Sequence, residues 1–282
     1  MASVQLNGFL PEDYVIDGPV GGPVGTPTGP MIGRTVEIAD ARPLQAAAES
    51  EAAFFAEHGF VLLPHVSAVR DWDADIMGVY LPEIDRLIRE RLFPGKRVEF
   101  QNYPGVLRRG RDTPVPFYAE GVHSDGGIGI DDYAHNVGAY AGPQAAEWMR
   151  AQYARDEVEG LVWVDFWRTT NMAGPLEHMP LALCDIASIS ADDLVPTRLT
   201  GIAPEGRETH HLSLRFNPDQ RWYSYPGMRD DEILAFALSG FWKEPRGPGN
   251  CFHSAFADPA ASADAELRQS CEYRIGVMVL RD

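Results

Sequence analysis

Hydrophobic positions recur with helical spacing in the first third of the chain. Residues 43–58 follow this pattern, with Pro43 suited to a first helical turn and Gly59 to the position just after a helix. A second helical pattern spans residues 75–92. The short apolar run 60–63 lies between the two patterns and indicates a buried strand. This part of the chain is therefore predicted as helix, strand, helix.

Beyond residue 95 the pattern changes to short runs of β-branched and aromatic residues separated by Pro- and Gly-marked turns. Helical insertions are predicted at 143–154 and at 230–238, the second because acidic residues stand in its first turn. The alternation predicts a mainly β chain with flanking helices (α+β) on a double-stranded β-helix, a jelly-roll or cupin-like core. The predicted strands are 97–101, 160–168, 209–216, 222–225 and 271–280.

The N-terminal segment has its own composition. Residues 17–33 are dense in Gly and Pro, which disfavours both a helix and a central strand. We therefore expect an extended N-terminal arm over residues 1–42. Residues 43–282 are expected to form a single double-stranded β-helix domain with a helical N-terminal part.

Charge and composition narrow the range of partners. The 282 residues carry 24 Lys and Arg against 41 Asp and Glu, a net charge of −17 that opposes binding to nucleic acid or an anionic membrane. The N-terminus lacks the basic and apolar pattern of a signal peptide, and the three cysteines form no CxxC pair. We expect a cytoplasmic protein with reduced thiols, a monomer or homodimer, that acts on a small molecule.

A pair of candidate metal ligands stands out among the eight histidines. His123 and Asp125 are two residues apart, so on a strand both side chains would point to the same face. His253, 130 residues later, is the best candidate for a third ligand. Two histidines and one carboxylate form the facial triad of non-haem Fe(II) oxygenases, although an isolated HxD pair is a weak signal.

The last predicted strand could supply a carboxylate-binding pair. Arg268, Ser270 and Arg274 would share one face of that strand. A buried guanidinium with a nearby hydroxyl is suited to the distal carboxylate of 2-oxoglutarate. The RxS spacing favours Arg268 over Arg274 for this contact. The order of these motifs along the chain, HxD, then His, then RxS, is a more specific signal than any one of the motifs alone.

Several segments resemble the family of cephamycin 7α-hydroxylase and gibberellin-desaturase-like proteins, which are Fe(II)/2-oxoglutarate oxygenases of secondary metabolism, including antibiotic biosynthesis. They occur in order from about residue 58 to 280. The resemblance implies that His123, Asp125 and His253 are the iron ligands. The segments are HGFVL (58–62), VHSD (122–125), FWR (166–168), GPL (174–176), MPLALCD (179–185), DLVP (193–196), FNP (216–218), RWY (221–223), FHSAFADP (252–259) and RQSCEYR (268–274).

The resemblance implies Fe(II), 2-oxoglutarate and O2 as reaction partners, with release of succinate and CO2. The substrate could be hydroxylated, desaturated or oxidatively cyclised. Two other interpretations stay open: a cupin-like zinc hydrolase, and a non-enzymatic metal- or ligand-binding protein. The chain departs from the family pattern at residues 169–174 and at His210-His211. Because neighbouring strand residues face opposite ways, at most one of these histidines can face a cavity.

Overall fold

The computed structural model describes residues 2–24, 29–74, 76–102, 105–244 and 246–281. The helices are α1 (Arg42–Ala46), α2 (Glu51–His58), α3 (Met77–Leu87), α4 (Ile130–Ala141) and α5 (Pro143–Ala154). A π-helical segment, Ile88–Leu92, continues α3, and short 3-10 turns occur at Ile186–Ser188, Ala191–Asp193 and Pro204–Gly206. The strands are β1 (Ala2–Phe9), β2 (Val20–Pro23), β3 (Ile32–Asp40), β4 (Phe60–Pro64), β5 (Arg97–Asn102), β6 (Leu107–Arg109), β7 (Val158–Thr169), β8 (Leu181–Cys184), β9 (Leu194–Thr200), β10 (Thr209–Leu214), β11 (Trp222–Ser224), β12 (Glu232–Trp242), β13 (His253–Ala255) and β14 (Ser270–Leu280).

The strands form a larger and a smaller layer. The larger sheet has the order β4-β12-β7-β14-β5, with β6 also paired to β14. The smaller layer contains a five-stranded sheet, β1-β3-β11-β8-β13, and a three-stranded sheet, β10-β9-β2. Side chains from both layers line one internal cavity. This is the predicted mainly β arrangement with flanking helices, and its open space lies between the layers.

The helices flank the larger sheet. Phe54 and Phe55 of α2 and Tyr80 and Ile84 of α3 belong to the main hydrophobic core together with that sheet. The predicted helix 143–154 is confirmed as α5 with the same bounds. The predicted helix 43–58 divides in two because the Ser50 side chain accepts a hydrogen bond from the Ala53 N–H and starts α2. Residue 75, the predicted start of the next helix, lies outside the described residues.

The prediction of a helix at 230–238 was wrong. This stretch lies almost entirely in β12, which pairs with β4 on one side and β7 on the other. Every residue from Ile233 to Ser239 is buried. A continuous apolar run fits a central strand as well as a buried helix, and here strand pairing decided between them. The acidic residues before it form the turn into the strand rather than a helix N-terminus.

The N-terminal segment also differs from the expected arm. β1 and β3 pair antiparallel, and β3 pairs in parallel with β11, so these two strands belong to the five-stranded sheet of the smaller layer. Val4, Leu6 and Phe9 alternate with more exposed residues and are buried in the second hydrophobic cluster. Within the Gly- and Pro-rich stretch, Val20–Pro23 forms β2, which pairs in parallel with β9 at the edge of the three-stranded sheet.

The MPLALCD and RWY segments meet in an ionic contact between a buried carboxylate and a half-exposed guanidinium. Asp185 is completely buried and accepts hydrogen bonds from Arg221, 2.9 Å from its Nη2 and 3.2 Å from its Nε. The Asp185 carboxylate lies 3.1 Å from His58 Nδ1 at the end of α2 and accepts from the Ala187 N–H. These distinctive segments therefore join α2 to the smaller sheet.

In the described part of the chain, none of the helices combines the length and the apolar composition needed to cross a membrane.

Candidate metal centre

His123, Asp125 and His253 lie together between the two layers. One ligand atom from each lies within 4.8 Å of the others. His123 and His253 are opposite each other in an antiparallel bridge, with N–H to carbonyl distances of 3.2 and 3.1 Å. Their ring centroids are 4.3 Å apart. A strand pairing between residues 130 positions apart therefore brings the two imidazoles side by side.

Hydrogen bonds set the tautomer of both rings. His123 Nδ1 is 2.6 Å from the Gly121 carbonyl oxygen, and His253 Nδ1 is 3.1 Å from the Cys251 carbonyl oxygen. Because a carbonyl oxygen only accepts, each Nδ1 carries the proton and donates it. Each Nε2 is then left with its lone pair, the arrangement found in metal-bound histidines. His253 Nε2 lies 4.0 Å from Asp125 Oδ2.

The electrostatics of the site favour an ionised Asp125 carboxylate beside a neutral His253 ring. Burial opposes ionisation of Asp125, but Arg274 and the two histidines outweigh it and hold the pKa of the carboxyl well below its usual range. The Arg274 Nη2 is 2.9 Å from Asp125 Oδ2. Burial, reinforced by His123, lowers the pKa of His253 to about 3, so its ring is neutral at physiological pH. These are the protonation states that metal ligands require.

The segment that carries His123 and Asp125 is anchored to β12. Ser124 Oγ donates to the Leu238 carbonyl at 3.2 Å, and Asn250 Nδ2 donates to the Ser124 Oγ at 3.2 Å. A Cβ on Gly126 would lie 1.6 Å from Ser239 Oγ, so only glycine lets the chain approach the strand this closely. The segment forms isolated bridges rather than the predicted strand. His123 and Asp125 are nevertheless held in place, because Ser124 between them is hydrogen-bonded to β12.

The predicted carboxylate-binding residues Arg268 and Arg274 both line the same cavity. Arg268 is 1% exposed and donates from Nη1 to the Met179 carbonyl oxygen. Its guanidinium carbon lies 4.2 Å from the Tyr118 ring centroid. Among the described residues, neither Arg268 Nε nor Ser270 Oγ has a hydrogen-bond partner, although both are buried. The cavity lining comprises Arg109, Ala119, His123, Trp167, Leu181, Phe236, His253, Arg268, Glu272 and Arg274.

Arg274 lies in the cavity with Arg268 but has a different setting. It contacts Asp125 at 2.9 Å and Glu272 at 3.2 Å, and its Nε lies 3.6 Å from Asp165 Oδ2. Burial and the nearby Glu272 raise the pKa of Asp165 well above its usual range. The contact between Arg274 and Asp125 was not predicted from the sequence. Arg268 precedes β14 rather than lying on it.

Other cavity residues were not singled out from the sequence as site residues. Arg109 approaches Glu272 at 3.3 Å, and Phe236 packs against His253 with ring centroids 4.8 Å apart. Trp167 is almost completely buried, and it also lines the cavity. The one available signal was the alternation within their strands, which places every second residue on the cavity face.

Comparisons with known proteins agree with this fold. The family model described as "Oxidoreductase/YMDC permease-like domain" matches residues 19–278. Aspirochlorine biosynthesis protein N of Aspergillus oryzae is 34% identical over 114 residues, which are 39% of this chain and only 45% of that protein's length. The solved structure of iron and alpha-ketoglutarate-dependent endoperoxidase NvfI superposes with a TM-score of 0.73 at 20% identity, covering 99% of this chain and 98% of that one. The same enzyme in a different conformation gives a TM-score of 0.74 at 20% identity, over 99% and 98% of the two chains. At that identity the likeness shows a shared fold.

Proposed function

Because the chain belongs to the oxidoreductase/YMDC permease-like domain family, we propose that it is a non-haem Fe(II)- and 2-oxoglutarate-dependent oxygenase acting on a small molecule of secondary metabolism. One observation carries the proposal. His123, Asp125 and His253 meet beside the cavity that a buried Arg268 also lines. The name of the structural neighbour, an iron and alpha-ketoglutarate-dependent endoperoxidase, supports the same chemistry.

The donor set fits Fe(II). Two neutral imidazoles with Nε2 lone pairs and one ionised carboxylate are the ligands of the facial triad, which leaves positions for a cosubstrate and O2. His123, Asp125 and His253 would hold the metal. Iron bound there would supply the oxidation of an unactivated C–H bond, coupled to conversion of 2-oxoglutarate and O2 into succinate and CO2.

The distal carboxylate of 2-oxoglutarate matches the open hydrogen-bonding groups of Arg268 and Ser270. Burying a guanidinium nitrogen and a hydroxyl without partners is costly, so such groups are typical of a ligand site. Arg268 keeps its charge although burial lowers its pKa to about 10. It therefore offers a charged donor fork to a carboxylate at neutral pH.

The remaining residues of the cavity orient a metal ligand and shield the reacting centre from water. Arg274 holds the Asp125 carboxylate at 2.9 Å and so restrains the ligand's orientation. Trp167, Phe236 and Leu181 supply apolar walls that limit access of water to the reacting centre. The substrate is hydroxylated, desaturated or oxidatively cyclised, according to which of its hydrogens these walls present.

The proposal also covers the location, oligomeric state, partners and domain organisation of the enzyme. The enzyme works in the cytoplasm as a monomer or homodimer. It has no nucleic acid or membrane partner, because its net charge of −17 opposes binding to either of these anionic surfaces. Residues 43–282 form its single oxygenase domain, and the strands of the first 42 residues complete the smaller layer.

The test is anaerobic addition of Fe(II) and 2-oxoglutarate to the metal-free protein. A weak visible charge-transfer band is expected, and Asp125→Asn should abolish it, whereas the exposed control Asp156→Asn should keep it. Succinate release measured on a panel of metabolites then identifies the substrate class. A protein that binds zinc but gives no band with Fe(II) and 2-oxoglutarate would favour the hydrolase interpretation. Metal binding without any turnover would favour a binding protein.

A further inference from the structure

A second group of potential metal ligands lies where α4 meets β10. One ligand atom each from His135, Glu208 and His210 lies within 4.8 Å of the others. The group is separate from the first centre, because His210 and His211 point to opposite sides of β10. His211 is the residue that influences Asp125, whereas His210 contacts α4.

The tautomer of His210 is set in the same way as in the first centre. Its Nδ1 lies 2.6 Å from Asp132 Oδ1, so Nδ1–H donates to that carboxylate and Nε2 keeps its lone pair. This is the carboxylate–histidine relation that orients metal-bound imidazoles. Burial lowers the pKa of His210, which favours the neutral ring.

The distance between His210 Nε2 and the Glu208 carboxylate suits a cation bound between them. His210 Nε2 lies 3.4 Å from Glu208 Oε1. With Nδ1 protonated, both atoms are acceptors and repel each other unless a positive charge lies between them. Two ligands of a tetrahedral zinc ion at bond lengths of about 2.05 Å are roughly 3.3 Å apart, which matches this gap.

The third residue is already beside the pair. The His135 ring is stacked on the His210 ring, with centroids 3.8 Å apart and planes 14° from parallel. His135 Nε2 lies 3.0 Å from the Glu208 carbonyl oxygen and donates to it, which leaves the other ring nitrogen with a lone pair. Because the lone pairs of parallel stacked rings lie in separate planes, His135 must rotate out of the stack before it can bind the same ion as His210.

The surroundings are rigid and negative. Asn136 donates to the His210 carbonyl and accepts from the His210 N–H, both at 2.7 Å, which locks α4 to β10. Asp132 and Glu208 supply two negative charges against one from Arg198, which lies 3.8 Å from each. A divalent cation would therefore add attraction that Arg198 alone does not satisfy.

We propose that His135, Glu208 and His210 bind a divalent transition-metal ion of the Zn²⁺ type, with Asp132 orienting His210. The ion joins α4 to the smaller layer. Because α4 begins five residues after Asp125, it also braces the segment that carries the first centre.

The test uses untagged protein with the first centre disabled by His123→Ala and Asp125→Asn. Equilibrium dialysis against Zn²⁺ should show one bound ion per chain. At a hundredfold excess over Kd the ion should raise Tm by about 5 °C. Adding Glu208→Gln, an exposed position that does not endanger folding, should remove both effects. The control Glu205→Gln, which removes a neighbouring carboxylate that pairs with Arg207, should keep them.

Co²⁺ provides an independent readout. The disabled protein should give the intense visible absorption of tetrahedral Co²⁺, and His210→Ala should lose it. Absence of zinc binding in the disabled protein, or equal binding with and without Glu208→Gln, would overturn the proposal. The first centre is removed in every arm, so neither result bears on the oxygenase function.

Discussion

Replacing Arg268 by Ala should weaken binding of 2-oxoglutarate by one to two orders of magnitude. The residue is 1% exposed, and its guanidinium carbon lies 4.2 Å from the Tyr118 ring centroid and 5.4 Å from that of Trp167. Its Nη1 is used by the Met179 carbonyl, whereas its Nε has no partner among the described residues. The guanidinium is therefore held in place before any ligand arrives, with donor capacity to spare.

The magnitude follows from the contact that would be lost. A hydrogen bond to a charged group contributes about 1.5–3 kcal/mol. At about 1.4 kcal/mol per factor of ten, this corresponds to roughly a 10- to 100-fold rise in Kd. Ser270→Ala removes one hydrogen bond to the same carboxylate but no charge, so it should raise Kd by less than Arg268→Ala does. Arg268→Lys keeps the charge but loses the fork, so its effect should fall below that of Ala.

The assay is calorimetric titration of 2-oxoglutarate into Mn(II)-loaded protein without O2. Metal content and Tm are measured for each variant, because Arg268→Ala also leaves the Met179 carbonyl without its donor. The metal content should be unchanged, which separates a cosubstrate defect from a defect of the metal centre.

Either of two outcomes would refute the reasoning. If Arg268→Ala binds 2-oxoglutarate as tightly as the unmodified protein, the unpartnered Nε has another purpose. If Arg274→Ala weakens binding at full metal content while Arg268→Ala does not, the roles of the two arginines are reversed.

Three further predictions concern the framework. Burial opposes ionisation of Glu232, but hydrogen bonds from Arg42 at 2.7 and 3.1 Å and from a backbone N–H outweigh it and lower the Glu232 pKa. Glu232→Gln should therefore cost up to about 1 kcal/mol in urea unfolding at pH 7, a difference that vanishes as pH falls through the lowered pKa; a constant difference down to pH 2 would contradict this. Asp185→Ala strips the buried partner of Arg221 and should cost roughly 2–3 kcal/mol of unfolding free energy without changing the metal Kd; an unchanged Tm would show that the contact is not stabilising. Gly126→Ala forces its segment away from β12 and should lower Tm and weaken Fe(II) binding together, which metal titration checks.

Local chemistry was sufficient for much of this molecule. The i, i+2 relation of His123 and Asp125 needs only neighbouring backbone, and the choice of His253 followed from residue type and order. Strand patterns with clear turns also held, as did α5, which starts at a Pro and has helical periodicity. In these places the short-range signal and the final structure call for the same conformation.

Long-range pairing decided the rest. The apolar run of β12 is compatible with a helix by itself, and it became a strand because β4 and β7 supply partners on both edges. β1 and β3 gained their place only from each other and from β11. Residues far apart in the chain met in the same way, Arg274 with Asp125 and His135 with His210. Such contacts depend on the register of distant strands, which one sequence does not encode locally, so only the tertiary structure could reveal them.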